Sequence, residues 1–201
     1  MKTSKPPGVI KCTVVGDGGV GKTSMLMSYT TGKIQTDYQP TQFDTYSVTV
    51  HLDGADHRVS MMDTAGQETY DRLRTLSYYD TDVFIVSFSV EDKDSFDNVK
   101  TKWIPEIKQF RPDTPFLLVG TQTDLRGSDA DITESCIWAT QGKKLSKRLG
   151  AEGYYECSAL ERSGLDDIFR ATVKAATQPK KKRRVWQSFK NAFKRKSLAI
   201  S

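Results

Sequence analysis

Cysteine is scarce in this chain. Only Cys12, Cys136 and Cys157 occur among 201 residues, without the short spacings that hold zinc or support disulfide exchange, so a disulfide framework and a zinc ribbon are both excluded. Such usage suits a reducing, intracellular compartment, with each thiol read as a small buried apolar group. Long apolar runs are also missing. No stretch reaches the 18 residues that a membrane-crossing helix needs, and Met1 to Gly8 is too short and polar for a secretory leader. The expectation is a chain that neither spans a membrane nor enters the export route. No internal repeat is visible, which excludes solenoids and propellers. Nor is charge spread evenly: the excess positive charge behind the formal +5 lies in the final segment, and the rest is near neutral. No nucleic-acid partner is expected.

What is present is enough for one domain with a sizeable core. The apolar content is 37% of 201 residues, and apolar runs return regularly. Strand-like runs at Val9 to Val15, Thr45 to Leu52, His57 to Met62, Val83 to Phe88 and Phe116 to Gly120 alternate with stretches of helical spacing, such as Ser95 to Phe110 and Gly164 to Thr177. That alternation predicts an α/β fold, a mostly parallel sheet with helices on both faces. Asp53-Gly54-Ala55-Asp56 is a tight turn signal between two alternating strands and predicts one antiparallel edge strand. In such sheets ligands bind beyond the carboxyl ends of the strands, so the loops after Val15, Met62, Gly120 and Glu156 should converge.

The first of those loops is GDGGVGKTS, Gly16 to Ser24. It matches G-x-x-x-x-G-K-[ST] with a strand before it and helical sequence after it, which is the context this phosphate-binding motif requires. Gly16, Gly18, Gly19 and Gly21, with Val20 between them, let backbone N–H groups curl around phosphates. Lys22 supplies a cation for the outer phosphates, and the Thr23 hydroxyl is a ligand for Mg²⁺. The third strand runs into Asp63-Thr64-Ala65-Gly66-Gln67-Glu68. Asp63 there can hold Mg²⁺ through water, Gly66 lets the backbone approach a terminal phosphate, and Gln67 can orient an attacking water. Tyr38-Gln39-Pro40-Thr41 lies between, and Thr41 offers the metal a second hydroxyl from a loop that a third phosphate would order. Singly, Thr41 and Gln67 read equally as plain loop residues.

In VGTQTD, residues 119 to 124, an apolar run ends on an amide, Gln122, and a carboxylate, Asp124. Alone, Asp124 reads as a turn cap. Next to a nucleotide site it reads as a guanine detector, since guanine offers a carboxylate the N1–H and N2–H₂ donors and adenine has no such pair on that edge. Ser158 and Ala159, in Glu156-Cys157-Ser158-Ala159-Leu160, provide backbone N–H groups for the guanine carbonyl.

With these motifs in place the sequence resembles the Ras superfamily of small GTPases and, within it, the Rho family. The segments that carry the Rho resemblance are Phe43-Asp44-Thr45-Tyr46-Ser47-Val48, DTAGQE, Tyr70-Asp71-Arg72-Leu73-Arg74, TDVFIVSFS, Lys102-Trp103-Ile104-Pro105-Glu106 and ECSAL, spread from Val9 to about Thr177. TQTD, with Gln122 where most Rho proteins carry Lys, is most similar to the atypical Wrch/Chp branch. The resemblance implies a P-loop fold with a six-stranded sheet and a monomeric GDP/GTP switch that uses Mg²⁺. Its hydrolysis would be slow by itself and accelerated by a partner, and it would signal to effectors of the actin cytoskeleton, cell shape or polarity. It implies exchange factors and GTPase-activating proteins of Rho type, and an effector surface at Tyr38, Pro40, Thr41, Phe43 and Asp44. Gly18 and Gln67 stand intact for hydrolysis beside Lys22. Two departures bear on the base: the family's lysine stem is shortened to Gln122, and Ile34 stands where an aromatic ring usually meets guanine. Both predict fast nucleotide exchange, while a permanently GTP-loaded binding module that hydrolyses negligibly is the alternative. Met62, where the family commonly has Trp, reads as a core substitution without functional meaning. Gly127 to Gly150 stands where Rho proteins carry a helical insert, here shortened.

These signals divide the chain into a flexible 1–8, a GTPase domain over 9–178 and a basic tail over 179–201. Rho proteins usually end in a prenylated C-a-a-X box, whereas this chain ends Leu198-Ala199-Ile200-Ser201, so attachment without prenylation is expected. Lys180, Lys181, Lys182, Arg183 and Arg184 form a basic run. Beyond it Trp186, Phe189 and Phe193 share one helical face, with Lys190, Lys194, Arg195 and Lys196 beside them. The preferred reading is a cytoplasmic protein held peripherally on an anionic membrane surface. A solvated basic tail, nuclear import and a calmodulin-type partner are the other readings.

Overall fold

The computed structural model describes residues 8–33, 43–66, 71–126 and 136–178. Six strands form one sheet in the order β2-β3-β1-β4-β5-β6. They are β1 (Val9–Val15), β2 (Phe43–Leu52), β3 (Ala55–Thr64), β4 (Val83–Ser89), β5 (Phe116–Thr121) and β6 (Tyr154–Glu156). All neighbours run parallel except β2 and β3, as the turn signal predicts. Asp53 and Gly54 both take positive φ, 51° and 78°, which closes a two-residue turn with Leu52 opposite Ala55. β4 (VFIVSFS) is buried at every position, as a central strand covered on both faces must be.

Alternate residues of the sheet feed two cores. On one face Cys12, Val14, Met61, Ile85, Leu117 and Val119 pack against Met25 and Leu26 of α1 (Lys22–Thr31) and Ile168, Phe169 and Val173 of the last helix. On the other, Val15, Phe84, Val86, Phe88 and Leu118 meet Trp103, Ile104 and Ile107 and, through Leu145, the helix Ala139–Leu149. Among the described residues the helices after α1 are α2 (Asp71–Ser77), α3 (Lys93–Asn98), α4 (Ile104–Phe110), α5 (Ala139–Leu149) and α6 (Leu165–Thr177). A π-helical turn, Val99–Trp103, joins α3 to α4, so the stretch of helical spacing from 95 to 110 carries one wider turn that its periodicity does not announce.

One expectation is corrected. Met62 is not a core residue: the pleat buries Met61 completely and turns Met62, half-buried, to the other face, where the Thr45 hydroxyl lies 3.4 Å from its sulfur. Part of the segment from Gly127 to Gly150 is described. α5 belongs to the domain itself, with Leu145 in the core and Gly142 packed so closely on Tyr154 that a Cβ would overlap the ring. Residues 127–135 lie outside the described residues.

Candidate functional site

The loop between β1 and α1 is shaped by close packing. Gly16 has φ 149°, and a Cβ there would overlap the Ser87 carbonyl of β4, so only glycine lets the chain leave β1 along this path. Gly18 and Gly19 are exposed at the crest, Val20 is buried beneath, and α1 starts directly after Gly21. Lys22 turns back into the loop. Its buried ammonium donates to the carbonyls of Gly16 at 2.9 Å and Asp17 at 2.6 Å. Burial pushes its pKa down to about 8, against the pull of Asp63 and Asp17, which favour the charged form.

β3 brings its tip to the same place. The Thr23 hydroxyl donates to the fully buried Asp63 carboxylate at 2.5 Å. Gly66 lies directly on the loop, where a Cβ would collide with the backbone of Gly16, Asp17 and Gly18. Neither contact depends on neighbours in sequence. Both follow from β3 pairing in parallel with β1, with Asp63 opposite Val14.

β5 supplies the other end of the site. Thr121 shares its single hydroxyl proton between Val20 O at 2.5 Å and Phe88 O at 2.8 Å, which ties the phosphate loop to the sheet. Gln122 takes a left-handed conformation (φ 61°), lays its stem along Gly21 and donates from Nε2 to Gly19 O at 3.3 Å. Asp124 follows in a single 3₁₀ turn, and its carboxylate accepts from the Ser158 hydroxyl, which itself accepts from Glu161 N–H. Ala159 is fixed through its carbonyl by Ser28 of α1 at 2.9 Å. Gly21, Ser24, Thr121, Gln122, Asp124 and Ala159 together line a cavity of about 130 Å³. Cys157 lines it too, and burial pushes its thiol up to about 12, which makes it a packed apolar group and not a nucleophile.

The structure therefore brings together the residues from Gly16 to Ser24, Asp63, Gly66, Gln122, Asp124, Ser158 and Ala159. Ile34, Tyr38, Pro40, Thr41, Gln67 and every tail residue from Lys180 to Lys196 lie outside the described residues. Phe43 opens β2 opposite Thr64, and exposed Asp44 is paired in register with Asp63. Sequence reasoning missed Thr121, Ser28 and Asp17. For Thr121 a signal existed, because a hydroxyl closing a fully buried strand must find a carbonyl.

The Ras family model matches residues 11–178, which is nearly the whole described body. The chain belongs to the Ras family. A Ras-family protein is a small GTPase switch that binds guanine nucleotide and hydrolyses GTP, and Ras-family GTPases use Mg²⁺ with that nucleotide. The six-stranded sheet with one antiparallel strand is the P-loop GTPase fold. The donor set of this Ras-family chain fits the metal: one hydroxyl, Thr23, and one carboxylate, Asp63, converge as hard oxygen ligands. Two such oxygens suit Mg²⁺, which is commonly held by one or two protein oxygens together with phosphates and water.

Proposed function

We propose that this Ras-family protein is a Rho-type guanine-nucleotide switch, most like the Wrch/Chp branch, and that Asp124 selects guanine. The observation that carries the reading is the convergence of three strand tips. Lys22 and the Thr23–Asp63 contact stand at one end of the site and Asp124 at the other, with the stem of Gln122 bridging them along Gly21. Backbone N–H groups from Gly18 to Thr23 would hold the phosphates, and Lys22 would neutralise the outer ones. Thr23, Thr41 and, through water, Asp63 would hold Mg²⁺, which when bound offsets charge on the outer phosphates. Gly66 N–H would meet the terminal phosphate, and Gln67 would orient the attacking water. Hydrolysis would be slow by itself and accelerated by a partner's arginine.

Purified protein should bind GTP and GDP and not ATP, and Asp124→Asn should move preference toward xanthine nucleotides, whose C2 oxygen accepts from the new amide. Equal affinity for ATP and GTP would sink the proposal. A second reading, a module that stays GTP-loaded, draws on Gln122: its neutral amide makes one 3.3 Å bond to the loop where most Rho proteins carry a lysine. Single-turnover hydrolysis measured beside nucleotide release separates the two readings. The tail proposal, reversible attachment to anionic membrane through its basic and aromatic residues, rests on sequence. So does signalling to actin, cell shape or polarity through Rho-type effectors and regulators.

A further inference from the structure

A carboxylate in a phosphate-binding loop needs explaining. Asp17 sits between Gly16 and Gly18, where negative charge would oppose a triphosphate. The structure turns it aside. One carboxylate oxygen accepts from Trp103 Nε1 and the other from Asn98 Nδ2, both at 2.6 Å. Trp103 closes the π-helical turn, and Asn98 immediately precedes it. Such a turn adds a residue to the helix and re-aims the side chains around it.

Trp103 is fully buried and has a second contact. The Arg74 guanidinium of α2 lies over its ring, 4.7 Å from the centroid. Arg74 is itself 1% exposed and held by a two-point pair with Glu106, at 3.1 and 2.8 Å, while Tyr78 donates its hydroxyl to the same carboxylate. The remaining arm of the fork reaches back to the strand tip: Nη1 donates to Ala65 O at 3.0 Å. Ala65 directly precedes Gly66, and Gly66 rests on the backbone of Asp17. The contacts close a ring from Asp17 through Trp103, Arg74 and Ala65 to Gly66 and back to Asp17. Lysine could keep the charge at position 74 but not the planar fork that serves Glu106 and Ala65 at once.

We infer that Arg74 and Trp103 are positioning residues that set the separation between the phosphate loop and the Ala65–Gly66 strand tip, and thereby discriminate the triphosphate from the diphosphate state. The inference rests on the proposed nucleotide site, in which Gly66 meets only the terminal phosphate. Its signature is a change in the ratio of two affinities, since a brace that merely stabilised the fold would move both together.

The test uses the full chain with Mg²⁺, titrating GDP and β,γ-imido-GTP in competition with a fluorescent GDP analogue. Arg74→Lys should weaken the imido analogue about tenfold, the worth of one charge-assisted hydrogen bond, and leave GDP within about twofold. Trp103→Phe keeps a ring under Arg74 but loses the N–H to Asp17, and should weaken the analogue by a smaller factor. The double variant should be no weaker than Arg74→Lys alone, because both act along one path. Glu106→Gln, which loosens the hold on Arg74 without changing volume, should shift the ratio in the same direction and serves if Arg74→Lys does not fold. An unchanged ratio in Arg74→Lys or Glu106→Gln, equal losses for both nucleotides, or fully additive losses in the double variant would overturn the inference. Wild-type protein that binds neither nucleotide would instead overturn the proposed site.

Discussion

Lys22 offers the most quantitative handle on the site. Its ammonium is buried, and burial lowers its pKa from the ordinary 10.5 to about 8. That displacement corresponds to a net cost of about 3 kcal/mol against the charged form, burial outweighing the attraction of Asp63 and Asp17. Phosphates beside it would remove the penalty, so nucleotide binding should take up a proton wherever the free protein has lost it. With a free pKa near 8, uptake should be close to zero at pH 7, about half a proton at pH 8 and about three-quarters at pH 8.5. The dissociation constant for Mg²⁺·GDP should rise about fourfold between pH 7 and pH 8.5. Calorimetry in two buffers of different ionisation enthalpy reads the uptake directly. The sign for stability is separate: between about 8 and 10.5 the unfolded chain holds the extra proton, so the nucleotide-free fold gains stability as pH rises. Binding without proton uptake from pH 7.5 to 8.5 would refute the reasoning. The same uptake in Lys22→Met, measured at higher protein concentration, would assign the proton to another group.

Thr121→Val keeps shape but leaves Val20 O and Phe88 O without their shared donor. It should lower stability by about 1–3 kcal/mol and speed GDP release, and denaturant titration beside a fluorescent-GDP chase checks both. Gln122→Lys combined with Ile34→Phe should slow release about tenfold by placing an ammonium near Gly19 O and an aromatic ring against the base; an unchanged off-rate would overturn the expectation of fast exchange drawn from those positions. Neutralising Lys190, Lys194, Arg195 and Lys196 should release the full chain from anionic vesicles at low salt, each charge contributing about 1 kcal/mol. Guanine-nucleotide affinity should not change, and cosedimentation beside nucleotide titration reads the two separately.

Much of this protein is legible without coordinates because its signals are local. Continuous apolar runs at Val83 to Phe88 and Phe116 to Gly120 mark buried strands, Asp53-Gly54 marks the hairpin, and GKT after a strand marks a phosphate loop, since each depends on the geometry of a few consecutive residues. Strand ends extend beyond the expected limits, to Thr64, Ser89 and Thr121, because the ladder continues into polar residues that hydrophobicity does not flag.

Long-range pairing is what sequence alone could not supply. Met61 and Met62 are chemically identical neighbours, and only the pleat of β3 against β2 decides that the first is core and the second is not. Asp17 looks like a misplaced charge until Asn98 and Trp103, more than 80 residues away, arrive on a π-helical turn whose extra residue leaves no trace in the hydrophobic period. Arg74 would pass for an ordinary helix surface residue, yet contacts with Ala65, Trp103 and Glu106 bury it. Residue types and spacing determined which groups could hold phosphates, metal and guanine. The parallel register of β3 on β1 and of β5 on β4 decided that they meet, because side chains tens of residues apart share a site only when backbone hydrogen bonding brings their strand tips level.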